Sequence, residues 1–156
     1  MAKAPLKVLA EELIEALETG SPELEWVLDL KSGKVSGLFD PLISGEAADK
    51  RSRRTVEANP DWFVLIEATS SQESFRAIER FCEGLESSRV RAELQSALGQ
   101  KHPFRAFKDA VSAYPNVRAD WFRFKNDWLL ACARDWLEEN APNATLITGS
   151  FHANEA

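Results

Sequence analysis

The order of its segments predicts an α+β protein: an N-terminal helix, a small antiparallel sheet of about three strands, and a C-terminal set of four helices. Three observations carry that prediction. Apolar residues recur at helical spacing before residue 19, alternate with polar ones between residues 24 and 39, and return to helical spacing from residue 72 onward. With 156 residues and 44% apolar content, the chain can bury a core within one domain, read here as 1–142 with a tail at 143–156.

Leu6, Leu9, Leu13, Ile14 and Leu17 stand three or four residues apart, which predicts a helix from about Pro5 to Glu18. Pro5 suits its first turn and Gly20 its end. Leu24, Trp26, Leu28 and Leu30 then alternate with less apolar neighbours, and Ser32-Gly33 separates them from Lys34–Phe39, which predicts a β-hairpin. Ser44–Asn59 loses its apolar residues and carries Lys50, Arg51, Arg53 and Arg54, so it reads as a long exposed connection. Trp62–Ile66 is the third strand, and its unbroken apolar run implies cover on both faces.

Four helices follow, at about Gln72–Leu85, Ser88–Leu98, Pro103–Tyr114 and Val117–Glu139. Their apolar faces are traced by Phe75, Ile78, Cys82 and Leu85, by Val90, Leu94 and Leu98, by Phe104, Phe107, Val111 and Tyr114, and by Trp121, Phe124, Trp128, Cys132 and Trp136. Gly84, Gly99 and Pro115 punctuate them. In the last helix Asp120-Trp121, Asp127-Trp128 and Asp135-Trp136 recur after seven and eight residues. That spacing predicts an indole stripe spent on the core, with the carboxylates as its polar border, paired as Asp120 with Arg123 and Asp127 with Arg134 or left to water. In the tail, Thr145–Thr148 reads either as a short edge strand or as disordered chain.

Composition excludes several functions. A net charge of -6 weighs against a protein built to coat nucleic acid or an anionic membrane. No apolar run approaches the roughly 18 residues of a membrane span, and Glu11 and Glu12 interrupt any signal-peptide core. Cys82 and Cys132 fall on apolar helix faces as small hydrophobes, which fits a reducing, cytoplasmic location without disulfides. No zinc-protease, paired-cysteine, phosphate-loop or dinucleotide pattern occurs, so neither cofactor nor metal is expected and no catalytic residue is assigned.

What remains is charge placement. Between Gly99 and Lys125 six basic residues stand against Asp109 and Asp120, a local balance of +4 that leaves -10 for the rest of the chain. Lys101, His102, Arg105 and Lys108 cluster around the start of a helix, where unpaired backbone N–H groups also favour an anion, and Arg118 follows. A solvated helix face is the plainer explanation of the same residues. Lys50, Arg51, Arg53 and Arg54 form an accessory basic segment with the same two readings. His102 reads as a solvated or capping histidine, with general base, helped by Asp109, as its functional alternative.

The run Lys101-His102-Pro103-Phe104-Arg105-Ala106-Phe107-Lys108-Asp109, followed by Pro115 and Trp121-Phe122-Arg123-Phe124, resembles the uncharacterised bacterial family UPF0158. Asp29-Leu30-Lys31-Ser32-Gly33-Lys34-Val35 is similar to that family's hairpin. The resemblance implies no activity. It does imply that Arg105, Lys108 and Asp109 serve either internal salt bridges or a shared binding surface. The expectation is a non-catalytic domain that binds a protein or other anionic partner; nucleic acid binding stands second, an enzyme using His102 third, and no membrane association is expected.

Overall fold

The computed structural model describes the backbone of residues 6–19, 24–39 and 47–148, and the side chains of 6–19, 24–38 and 52–148. It is α+β, and its contacts fall into two compact units, Met1–Thr69 with Leu129–Ala156, and Ser70–Trp128.

In the first unit, β1 (Leu6–Leu9) runs straight into α1 (Ala10–Glu18). The expected helix from Pro5 is therefore corrected over its first turn, Pro5 itself lying outside the described residues. The cause is a tertiary partner. β5 (Ala144–Ile147) pairs with β1 in parallel, Leu6 opposite Ala144 and Leu9 opposite Ile147, and supplies the ladder that a lone strand lacks. Lys7 is exposed and Val8 wholly buried, an alternation that leucines spaced three apart conceal. Of the two readings of the tail, the strand is the one found at Ala144–Ile147; the chain beyond Thr148 lies outside the described residues.

The hairpin forms as expected from β2 (Leu24–Asp29) and β3 (Val35–Phe39), and β4 (Phe63–Ile66) adds antiparallel to the other side of β2. Sheet order is β3-β2-β4, so β4 is an edge strand. Cover on both faces is corrected as well: Ile66 is buried on one face, but on the other, where a groove opens, Leu65 is 49% exposed. The hairpin turn explains its sequence. The Asp29 carboxylate accepts from the N–H groups of Lys31 and Ser32 at 2.8 and 3.3 Å, and Gly33 takes a φ of 80°, which glycine adopts at no steric cost.

The stretch read as an exposed connection is largely a helix, α2 (Ala47–Ala58), so Lys50, Arg51, Arg53 and Arg54 are helical rather than a loop. Its apolar face is nearly reduced to Val56, which left no periodicity to read. The Arg53 guanidinium meets the Glu25 carboxylate at 2.6 Å and ties α2 to β2. A 3₁₀ turn, Pro60–Trp62, leads into β4.

The core of this unit gathers Val8, Leu13, Leu17, Leu28, Val35 and Ile66 with Ala133, Leu137 and Ala141. At roughly 25 cal/mol for each Å² of apolar surface buried, each fully buried leucine contributes on the order of 2 kcal/mol. Thr69 donates to the carbonyl of Leu17 from both its backbone N–H (2.8 Å) and its hydroxyl (3.2 Å), closing the end of α1.

The second unit consists of α3 (Ser71–Glu83), α4 (Ser88–Leu98), α5 (Pro103–Val111) and the first half of α6 (Pro115–Asn140). Ser70 and Ser87 cap α3 and α4, accepting from the N–H groups of Glu73 (3.1 Å) and Val90 (3.3 Å). Ile78, Phe81, Cys82, Leu94, Leu98, Phe107 and Val111 form the core, with Trp121 and Phe124 packed on it.

The indole stripe is corrected in detail. Trp121, Trp128 and Trp136 are each only half-buried, and the buried residues of α6 are Leu129, Ala133 and Leu137. An eight-residue step turns Trp136 about 80° from Trp128 on a regular helix. Trp121 packs on the core of one unit and Trp136 on that of the other, so no single stripe serves the whole helix.

Candidate functional site

The basic residues singled out above sit on α5, its approach and α6, held in place by rings. Phe107 is 3% exposed and meets Trp121 edge to face, with centroids 5.3 Å apart. Phe81 stands 5.3 Å from Trp121 and 5.5 Å from Phe124. Such contacts contribute roughly 0.5–1.5 kcal/mol each beyond area burial, enough to fix the rotation of α5. With Phe107 and Val111 turned inward, Arg105 and Lys108 are left outward.

Lys101, His102, Arg105, Lys108 and Arg118 are all exposed. Among the described residues none of them has an ion-pair partner. Asp109 is equally exposed and unpaired within that set, so the internal salt bridge within the Phe-Arg-Ala-Phe-Lys-Asp run is absent among the described residues. Ion pairing occurs elsewhere: Arg123 with Asp120, as the spacing predicts, and Arg89 with Glu93 at 3.5 Å, whereas Asp127 and Arg134 form no pair among the described residues. Tyr114 donates its hydroxyl to Glu93, and this hydrogen bond raises the phenol above its ordinary range.

His102 is the residue preceding α5, and its side chain makes no capping hydrogen bond. Asp109 lies seven residues further on, about 10 Å along a helix axis, too far for a direct hydrogen bond to the imidazole. Of the accessory segment, Arg53 is engaged by Glu25 and Arg54 is exposed, while Lys50 and Arg51 have described backbone only. Among the described residues, no group of three or more His, Cys, Asp and Glu side chains could hold a metal ion.

Two rings escape the sequence reading. Phe104 is 42% exposed, touching Phe75 edge to face at 6.3 Å, although its spacing assigns it to the core. Phe122, 48% exposed, lies under the Arg118 guanidinium at 4.8 Å. The four-residue step from Arg118 to Phe122 was the available signal. Together these residues make a surface of fixed cations with open aromatic faces, suited to holding carboxylates and covering apolar side chains.

The Cys82 thiol is chemically quiet. Burial, reinforced by Glu79 and Glu83, pushes it up to about 11 from the ordinary 9.0.

These features define an α+β protein with a ring-supported basic surface, in which no described helix is long and apolar enough to cross a membrane. The chain belongs to the uncharacterised protein family UPF0158, whose profile matches residues 3–147. It is 37% identical over 136 residues to the UPF0158 protein PA5073 of Pseudomonas aeruginosa, covering 87% of this chain and 84% of that protein. No solved structure matches the chain.

Proposed function

We propose that this chain is a non-catalytic, cytoplasmic binding domain of regulatory or adaptor type, which takes an acidic protein partner on the surface of Lys101, Arg105, Lys108 and Arg118. The observation that carries the reading is the absence of internal ion pairs at these cations among the described residues. Cations retained without partners keep their full charge for a ligand, and two half-exposed rings beside them offer apolar area. A protein is favoured over nucleic acid because the net charge of -6 would repel an extended polyanion beyond the local surface.

The test compares the wild type with Lys101→Glu/Arg105→Glu/Lys108→Glu in native-lysate capture, followed by titration of each captured protein in pure form. A partner that binds the wild type, weakens with salt and fails to bind the variant supports the reading. Identical partners for both proteins overturn it. Retardation of RNA or DNA at low salt, lost in the same variant, would transfer the surface to nucleic acid.

A further inference from the structure

A second feature, in the first unit, is independent of the basic surface. On one face of the sheet, Val27 is flanked by Ser36 of β3 and Leu65 of β4, and Glu25 lies opposite Leu38. This face and α2 enclose a groove of about 350 Å³, lined by Val27, Leu38, Phe63 and Leu65 on the sheet side and by Arg53, Val56, Glu57 and Pro60 on the other. Arg53 and Glu25 neutralise one another across the groove, so the charge left over in the lining is that of Glu57, which is exposed without an ion pair among the described residues.

The groove continues to an open sheet edge. β4 pairs only with β2 among the described strands, and among the described residues one row of its backbone N–H and C=O groups has no backbone partner. Leu65, the groove residue on that edge, is 49% exposed. A strand added beside β4 would extend the row Ser36, Val27, Leu65 by one residue, and its alternate side chains would fall on the groove side.

We propose that the β4 edge takes up an extended peptide segment of a partner protein, with a bulky apolar residue beside Leu65 and Lys or Arg two positions away on either side. Main-chain hydrogen bonds supply the attachment, the groove selects the apolar residue, and Glu57 selects the cations.

The test titrates acetylated, amidated pentapeptides Lys-Thr-Xaa-Thr-Lys, with Leu, Ile or Phe at Xaa, into the isotope-labelled full chain and follows backbone amide resonances. Saturable shifts centred on Phe63–Ile66 are expected. Methylating one alternate set of peptide nitrogens should weaken binding about tenfold or more and the other set far less, because only one set faces the neighbouring strand. Replacing both peptide lysines by Glu, or introducing Glu57→Lys or Leu65→Ser, should weaken it comparably, with the melting temperature of Glu57→Lys unchanged and that of Leu65→Ser lowered by no more than a few degrees. No saturable binding by any peptide, equal effects of the two methylations, or shifts confined to Ser70–Trp128 would each overturn the proposal.

Discussion

The backbone of Gly33 packs directly on the carbonyl oxygen of Lys7, so that a β-carbon at Gly33 would overlap that oxygen. With a φ of 80° the position is also left-handed, at a cost of roughly 1–2 kcal/mol for other residues. Gly33→Ala should therefore lose about 3 kcal/mol in denaturant unfolding, as the turn must move away from β1. Gly84 is the control. Its φ of -83° is ordinary, and an added β-carbon would lie 3.6 Å from the nearest atom. Gly84→Ala should be neutral or gain about 0.5 kcal/mol by restricting the unfolded chain. A loss at Gly84 as large as that at Gly33 would contradict this account.

Phe107 and Trp121 set the orientation of the basic surface through their edge-to-face contact. Phe107→Ala should cost about 3–5 kcal/mol, the range for a fully buried ring. A double-mutant cycle with Trp121→Ala should return a coupling of roughly 0.5–1.5 kcal/mol. Phe104→Ala, at a site 42% exposed, should cost clearly less than Phe107→Ala. Equal losses at the two phenylalanines would mean that the outward placement of Arg105 and Lys108 has another cause.

Cys82 makes stability depend on alkaline pH in a definite sense. Its folded-state pKa of about 11 lies above the ordinary 9.0, so the folded chain keeps the thiol proton where the unfolded chain has lost it. This contribution is complete below pH 9 and is withdrawn as pH rises through 11. Unfolding free energy measured across that window should fall less steeply in Cys82→Ala than in the wild type. Native-state alkylation at neutral pH should likewise modify half-buried Cys132 well before Cys82. Rapid labelling of Cys82 under native conditions would show that the thiol is reached from solvent.

Local pattern revealed most of the architecture, and the departures share one physical origin. The hairpin and the second unit's helices were legible because their signals are local: Asp29 and Gly33 specify a turn, and Ser87 caps a periodic run. Leu6–Leu9 carries helical spacing locally, and the strand partner that overrides it lies at Ala144–Ile147, far along the chain. α2 leaves no local signal because a helix with Val56 as almost its whole apolar face borrows stability from Glu25 on a neighbouring strand. At the basic surface the residues were legible but their accessibility was not. Periodicity gives Phe104 and Phe107 the same face, and only packing separates a half-exposed ring from a buried one.

Charge reversal at the basic surface should alter binding without altering folding. Lys101, Arg105 and Lys108 are exposed and have no ion-pair partner among the described residues, so replacing them removes no stabilising pair. Lys101→Glu and Arg105→Glu fall at or near the start of α5, where a carboxylate is favoured by the helix dipole, whereas Lys108→Glu, in the last turn, is disfavoured. The opposing terms should leave the triple variant within about 1 kcal/mol of the wild type, read as a shift of a few degrees in melting temperature. Arg118→Ala removes a guanidinium from the exposed face of Phe122 and should cost roughly 0.5–1 kcal/mol. A melting temperature that collapses in the triple variant would reveal that these cations support the fold, and their exposure could no longer be taken as readiness for a partner.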